Sequence, residues 1–279
     1  LGVSLFHTSF NVLNVILLFA FVPWLVRLIE YIQPDRGASD EEFHLRFIST
    51  GVMTSPTLAV EQAQKEIQQF TGIIEKMHAS VHELLFDPAA QSDRLMERIH
   101  KFEQATDQME IEISDYLVRI SEGANMEHDL TERMRFMQTM INDLERVADI
   151  YYQISKISVK MHEAETDWPE EARAEMVLMM DALRNAIANM HINVSKEPEQ
   201  VNLDHALVLE DALDKLRDNF RDQHYCRLER GAYSTRAGVV FIDVLNRLER
   251  IGDHVLNVNE AAAGKRLKAM RIHGQKQPA

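Results

Sequence analysis

The stretch NRLERIGDHVLN, residues 246–257, decides the fold because the chain carries a second copy of it, NDLERVADI, at residues 142–150. Both copies share Asn-x-Leu-Glu-Arg, then Val or Ile, Ala or Gly, and Asp, and they lie 104 residues apart (249 minus 145). A repeat of this kind indicates a domain built twice. In each copy two carboxylates stand four residues apart, which places them on one face of a helix.

Apolar residues recur at helical spacing from residue 56 to about residue 264. Breaks in this pattern fall at Pro88, Gly123, Pro169, Pro198 and Gly231. The sequence therefore predicts an all-α domain of six long helices, arranged as two tandem antiparallel three-helix bundles over about 56–163 and 168–264.

Composition and charge exclude several classes of function. The 279 residues are 46% apolar and 27% charged, which is globular, and the net charge of −14 argues against nucleic-acid binding because that needs a basic surface. The single cysteine, Cys226, excludes an intrachain disulfide.

The first 30 residues predict a transmembrane helix. Residues 1–26 contain no Asp, Glu, Lys or Arg, and an apolar run of about 20 residues is enough to cross a bilayer. Trp24 and Arg27 resemble an interfacial aromatic and a basic cytoplasmic flank. A buried core helix is the alternative. With the lipid bilayer as partner, we expect an inner-membrane location, a linker over 31–55, and cytoplasmic residues from about 31 onward.

The end of the chain, residues 265–279, is a basic tail without acids. A solvated end is the expected structure, and contact with anionic headgroups is the alternative.

The repeated carboxylates lie beside the core in the helical-wheel arithmetic rather than within it. Their recurrence at matched places in both halves predicts binding of a divalent or trivalent metal, with Fe, Zn, Mn and Mg as the candidates. A purely solvated face is the alternative, since exposed like charges four residues apart destabilise a helix only slightly. The candidate ligands are Glu249, Asp253, Asn257, Glu145, Asp149, Asp107 and Asp214.

Motifs for bond-breaking chemistry do not stand out in this sequence. It contains no Gly-rich phosphate loop, metalloprotease helix motif or nucleophile elbow. The spacings Glu75-x-x-His78 and Glu97-x-x-His100 match di-iron bundles, but Ala188 stands where the repeat would need the partner of Glu75. We therefore predict that the protein is not an enzyme, with a di-iron oxidase as the remaining enzymatic alternative.

The doubled motif, Leu248 to His254 with its counterpart around Glu145 to Asp149, resembles the paired motifs of PhoU-type domains. Residues 6–11 (FHTSFN) with the apolar run that follows them are similar to the last membrane helix of bacterial sodium/phosphate cotransporters, and residues 54–61 (TSPTLAVE) to the join that leads into their PhoU-like domain.

The resemblance implies the C-terminal regulatory part of a sodium-dependent phosphate transporter. Its partners would be an upstream membrane core, inorganic phosphate and sodium acting through that core, and further copies of the chain if it forms a homo-oligomer. The transport core itself is absent from the sequence. The alternative is a membrane-anchored PhoU-like adaptor that acts on a separate permease or sensor kinase.

The resemblance also implies metal clusters at the Glu-x-x-x-Asp motifs. The first copy has Ile150 and Gln153 where the second has His254 and Asn257. On this ground the sequence favours the second copy as the metal site.

Overall fold

Six long α-helices make up the part of the chain that the structure describes. The structure is a computed structural model that describes residues 6, 7, 10, 45–48, 55–87, 91–122, 128–164 and 166–265. The predicted all-α class and the six helices are confirmed. The helices are α1 (Pro56–Phe86), α2 (Ser92–Glu122), α3 (His128–Glu163), α4 (Glu170–Val194), α5 (Leu203–Glu229) and α6 (Thr235–Ala262), with a 3-10 turn at Pro198–Gln200 between α4 and α5.

The ends of the helices follow the local signals in the sequence. Pro56 is the first residue of α1. Proline lacks a backbone N–H, but at this position the N–H would have no partner within the helix. The side chains of Asn202 and Ser234 cap the starts of α5 and α6 by accepting hydrogen bonds from backbone N–H groups. Gly231 follows α5 with a φ of 64°, a left-handed conformation that glycine adopts without steric strain.

The two halves each form a three-helix bundle. Helices α1, α2 and α3 contact one another, and α6 contacts both α4 and α5, which also contact each other. The bundles meet through the pairs α1–α4 and α3–α6. Phe70, Tyr151 and Phe241 are among the largest fully buried side chains, so each half contributes to the core.

The interface between the two halves contains two contacts at positions that the sequence repeat relates to each other. With the 104-residue offset, Asp143 corresponds to Arg247, and Gln153 to Asn257. The amide of Asn257 donates a hydrogen bond to Asp143 Oδ1 at 3.3 Å, and the guanidinium of Arg247 donates one to Gln153 Oε1. Matched positions on α3 and α6 thus contact each other reciprocally, as expected of a pseudo-twofold interface.

A short segment before α1 is held against that helix. Glu66 is 1% exposed, and its carboxylate accepts hydrogen bonds from the backbone N–H groups of Phe47 and Ile48. Two backbone donors satisfy a carboxylate that would otherwise be buried at a high energetic cost. Residues 45–48, inside the predicted linker, are therefore attached to the bundle.

None of the helices in the described ranges has the length and apolarity that crossing a bilayer requires. The predicted transmembrane helix lies outside the described residues except for positions 6, 7 and 10, and the basic tail lies outside them from residue 266.

Candidate functional site

The carboxylates of the first half converge between α2 and α3. We call Glu103, Asp107 and Glu110 of α2, together with Glu145 and Asp149 of α3, the first acidic face. Oxygen atoms of Glu103, Asp107 and Asp149 all lie within 4.8 Å of one another, a spacing that suits a shared cation. The residues are half-buried or exposed, as the helical-wheel arithmetic predicts.

Burial and mutual repulsion make the charged form of this face unfavourable. Burial raises the pKa of Glu145 to about 7, and the charges of Asp149, Glu110 and Asp107 add to this effect against the opposing charge of Arg146. The pKa of Asp107 is also raised, first by burial and then by Asp149. A bound cation would relieve this repulsion and favour the ionised carboxylates.

A basic side chain borders the same face without entering the carboxylate cluster. His100 Nδ1 lies 3.3 Å from Glu103 Oε2, and its ring stacks on Tyr152. The pKa of Glu103 is raised by burial and by Asp107, while His100 acts in the opposite direction. At the edge of the face, His100 therefore opposes the effect of burial and of Asp107 on the pKa of Glu103.

The second half carries an arginine within the equivalent face. We call Glu210 and Asp214 of α5, with Glu249 and Asp253 of α6, the second acidic face. Arg217 stands there at the position that Glu110 has in the first half. Its Nη1 lies 2.7 Å from Glu249 Oε1 and 3.6 Å from Asp214 Oδ1. The guanidinium thus already supplies a positive charge to two predicted ligands.

The predicted ligand Asn257 contacts the opposite half of the molecule. His254 Nδ1 lies 2.7 Å from Asp143 Oδ1, the same oxygen that accepts from the Asn257 amide. Asp143 is buried on α3, so this contact belongs to the junction of α3 and α6. His254 and Asn257 are the residues that made the second copy the favoured metal site in the sequence. Both contact Asp143 and so join the two halves.

The residue types of the first acidic face fit a metal ion. Its oxygen-only donors match hard cations, and its crowded negative charge is the environment that such an ion stabilises. The arginine within the second face fits the same conclusion, because a cation occupies the equivalent place there. Glu103 is not among the ligands predicted from the sequence, although Glu103 and Asp107 form a further Glu-x-x-x-Asp pair that could have identified it.

The spacings that suggest a di-iron site lead to different contacts. His78 is buried, and a hydrogen bond of 2.7 Å links its Nδ1 to the Tyr151 hydroxyl. His100 lies beside Glu103. Within the described ranges, the three side chains whose ligand atoms come within 4.8 Å of one another are Glu103, Asp107 and Asp149. The structure gives the di-iron alternative no support.

Comparison with known families agrees with this doubled architecture. The model of the PhoU domain matches residues 67–158 and 176–262, together more than half of the chain. The chain belongs to the PhoU domain family. Its first PhoU segment contains the whole first acidic face, and its second contains the whole second acidic face.

Solved PhoU structures share the fold. A PhoU from Pseudomonas aeruginosa superposes with a TM-score of 0.67 at 19% identity, and the match covers 75% of this chain and 97% of that one. The phosphate transport system regulatory protein PhoU from Streptococcus pneumoniae gives a TM-score of 0.62 at 16% identity and covers 75% and 95%. A search of curated proteins finds no match.

Proposed function

We propose that this PhoU-domain chain regulates the uptake of inorganic phosphate and does so without catalysing a reaction. The doubled PhoU match carries the proposal, and the similar Streptococcus pneumoniae protein is a regulatory protein of a phosphate transport system. The described part of the chain offers long helices joined by a reciprocal interface.

The regulated state depends on a divalent or trivalent cation at the first acidic face, with the predicted Fe, Zn, Mn and Mg as candidates. Glu103, Asp107 and Asp149 would hold it, and Glu145 lies among the same charges. Since these side chains come from α2 and α3, a bound cation would fix the packing of the two helices. The ion would supply positive charge, and the chain's own carboxylates would set the geometry.

A complementation experiment tests this proposal. In the native host with the gene deleted, phosphate uptake is measured with radiolabelled phosphate after return of the wild type or of the double variant Glu145→Gln, Asp149→Asn. We expect the wild type to restore regulated uptake, the double variant not to restore it, and the purified double variant to lose its bound metal. The matched control is Asp129→Asn with Glu132→Gln, which removes the same charge from exposed positions of α3. Equal regulation by the double variant and the control would contradict the role of the cation.

The finer proposal is that the domain is the C-terminal regulatory part of a sodium-dependent phosphate transporter. It is supported by the resemblance of residues 6–11 and 54–61, with the apolar run between them, to bacterial sodium/phosphate cotransporters. In this arrangement residues 1–30 cross the inner membrane, residues from about 31 onward face the cytoplasm, and a membrane core upstream moves sodium and phosphate. Docking of residues 45–48 on Glu66 would attach the bundle to that membrane segment.

A membrane-anchored adaptor for a separate permease or sensor kinase is the second candidate. This candidate is favoured because the matches to the two PhoU structures cover 95% or more of each PhoU chain. Crosslinking in intact cells discriminates the two candidates, since a covalent fusion predicts one polypeptide with a multi-helix core and the adaptor predicts a two-protein product. Uptake that is independent of sodium would contradict the transporter proposal.

A further inference from the structure

The two acidic faces differ in one residue that changes their charge. Where the first face has Glu110, the second has Arg217, whose side chain is 22% exposed. Besides its contacts with Glu249 and Asp214, the Arg217 guanidinium donates a hydrogen bond from Nε to Asp218 Oδ1 at 3.1 Å, and its Nη2 lies 3.1 Å from the same oxygen in an ion pair. One guanidinium thus serves three carboxylates from two helices.

We infer that Arg217 is the built-in counter-ion of the second acidic face and confines the cation response of the chain to its first half. The inference rests on the proposed function, because it assumes that an acidic face without such an arginine takes a cation. The duplicated domain would then have one half that responds to the metal and one half that carries a permanent positive charge of its own.

The chemistry of arginine makes this counter-ion permanent. Burial lowers the pKa of Arg217, but the hydrogen bond to Asp218 and the charges of Asp214 and Glu249 outweigh it and raise that pKa above its ordinary value. Arginine keeps its charge at any pH that a folded protein survives. A metal ion would have to displace it from at least two carboxylates.

Tethering gives the arginine a further advantage over an ion in solution. Because Arg217 belongs to α5, its guanidinium acts at a high effective concentration, on the order of millimolar or more for a short tether. A dissolved ion must lose its translational freedom and part of its hydration to enter the same place. The second face therefore contains a positive charge at all metal concentrations, whereas a positive charge at the first face depends on the supply of metal.

Counting bound Mn²⁺ in arginine variants tests the inference. The chain, stripped of metal with a chelator, is titrated with Mn²⁺ while the electron paramagnetic resonance signal of the free ion is followed. The variant Arg217→Glu restores the residue type of Glu110 and should bind about one more Mn²⁺ than the wild type, because it completes an oxygen donor set. The control, Arg221→Glu, makes the same charge change at an arginine of α5 that pairs with Asp218 at 3.0 Å.

The outcomes separate this inference from the proposed function. An Arg217→Glu variant that binds no more Mn²⁺ than Arg221→Glu overturns the inference, as does loss of wild-type binding on Glu249→Gln with Asp253→Asn. A wild type without bound Mn²⁺ and an Arg217→Glu variant with a site would refute the proposed first site while supporting the role of Arg217. If Arg217→Glu does not fold, Arg217→Gln replaces it and should bind more Mn²⁺ than the matched control Arg221→Gln; equal binding by these two variants overturns the inference.

Discussion

At the scale of single residues, Glu145 shows burial and charge acting in the same direction. Its pKa is raised from the ordinary 4.5 to about 7 by burial, with the charges of Asp149, Glu110 and Asp107 adding to the effect. A carboxyl group whose folded-state pKa is raised stabilises the fold while it is protonated. That contribution is complete below about pH 4.5 and is lost as the pH rises through about 7.

Replacing Glu145 with glutamine should therefore stabilise the metal-free protein at pH 8. We expect a gain of roughly 1 kcal/mol, after allowing for solvent screening of a partly exposed group, and a gain near zero at pH 4. Urea unfolding in the presence of a chelator measures the difference. With metal present the order should reverse, because the wild type gains a ligand that the variant binds more weakly. A variant less stable than the wild type at pH 8 without metal would refute this account.

His78 should make stability depend on pH in the opposite direction. Burial, then the charges of Arg184 and His82, lowers the pKa of His78 to about 3. The unfolded chain binds a proton near pH 6.5 and the folded chain does not, so stability is full above that pH and falls as the pH drops toward 3.

A His78→Gln variant tests this dependence. It should be less stable at pH 7, since the Tyr151 hydroxyl loses its partner, but its stability should fall less steeply with acid, by up to about 1.4 kcal/mol for each pH unit. The control is His205→Gln, which makes the same substitution on the exposed surface of α5, away from Tyr151. Parallel curves for wild type and His78→Gln between pH 6.5 and 4 would contradict the assignment.

At the scale of the elements, sequence reasoning succeeds where the signal is local. Pro88, Gly123, Pro169 and Gly231 mark the ends of helices because proline and glycine act on the backbone next to them. The bundle halves follow from the repeat in the same way. Local signals and the repeat were therefore sufficient to predict the six helices and their grouping into two bundles.

The contacts of individual side chains needed the structure. His254 and Asn257 look like additional ligands in the sequence, yet they contact Asp143 of α3, because the rotation and pairing of α3 and α6 bring that carboxylate to them. Arg217 is visible in the sequence as a replacement for Glu110. Its distance of 2.7 Å from Glu249 depends on how α5 packs against α6.

Two glycines within helices should respond oppositely to alanine. At Gly238 an added Cβ would lie 2.7 Å from Leu228 Cδ2 and 2.8 Å from Tyr233 Cε2, so Gly238→Ala should destabilise the protein by about 1–3 kcal/mol through overpacking. At Gly72 the nearest atom would be 4.0 Å away, and Gly72→Ala should stabilise by about 0.5–1 kcal/mol through helix propensity. Thermal unfolding of both variants compares them. Stabilisation by Gly238→Ala would show that Tyr233 and Leu228 move aside easily.

At the scale of the whole molecule, the reciprocal interface explains how one half could influence the other. Offsets of 104 for α3–α6 and 113 for α1–α4 relate matched positions across it. On α1–α4 a hydrogen bond of 2.7 Å joins Thr71 Oγ1 and His191 Nδ1, and at the matched place the charge of Arg184 acts on His78. A shift of α3 caused by a cation at the first acidic face would reach α6 directly.

The strength of that connection can be measured with a double-mutant cycle between Asp143 and His254. Both side chains are largely buried, and their atoms lie 2.7 Å apart, so we expect a coupling energy of about 1–2 kcal/mol in unfolding experiments on the single and double alanine variants. The pair Arg247 and Gln153 occupies the matched place but is more exposed, and its coupling should stay below about 0.5 kcal/mol because water competes for the same groups. Additive effects of Asp143→Ala and His254→Ala would mean that the buried contact does not join the halves energetically. In that case a cation at the first acidic face would have to act through α1 and α4 instead.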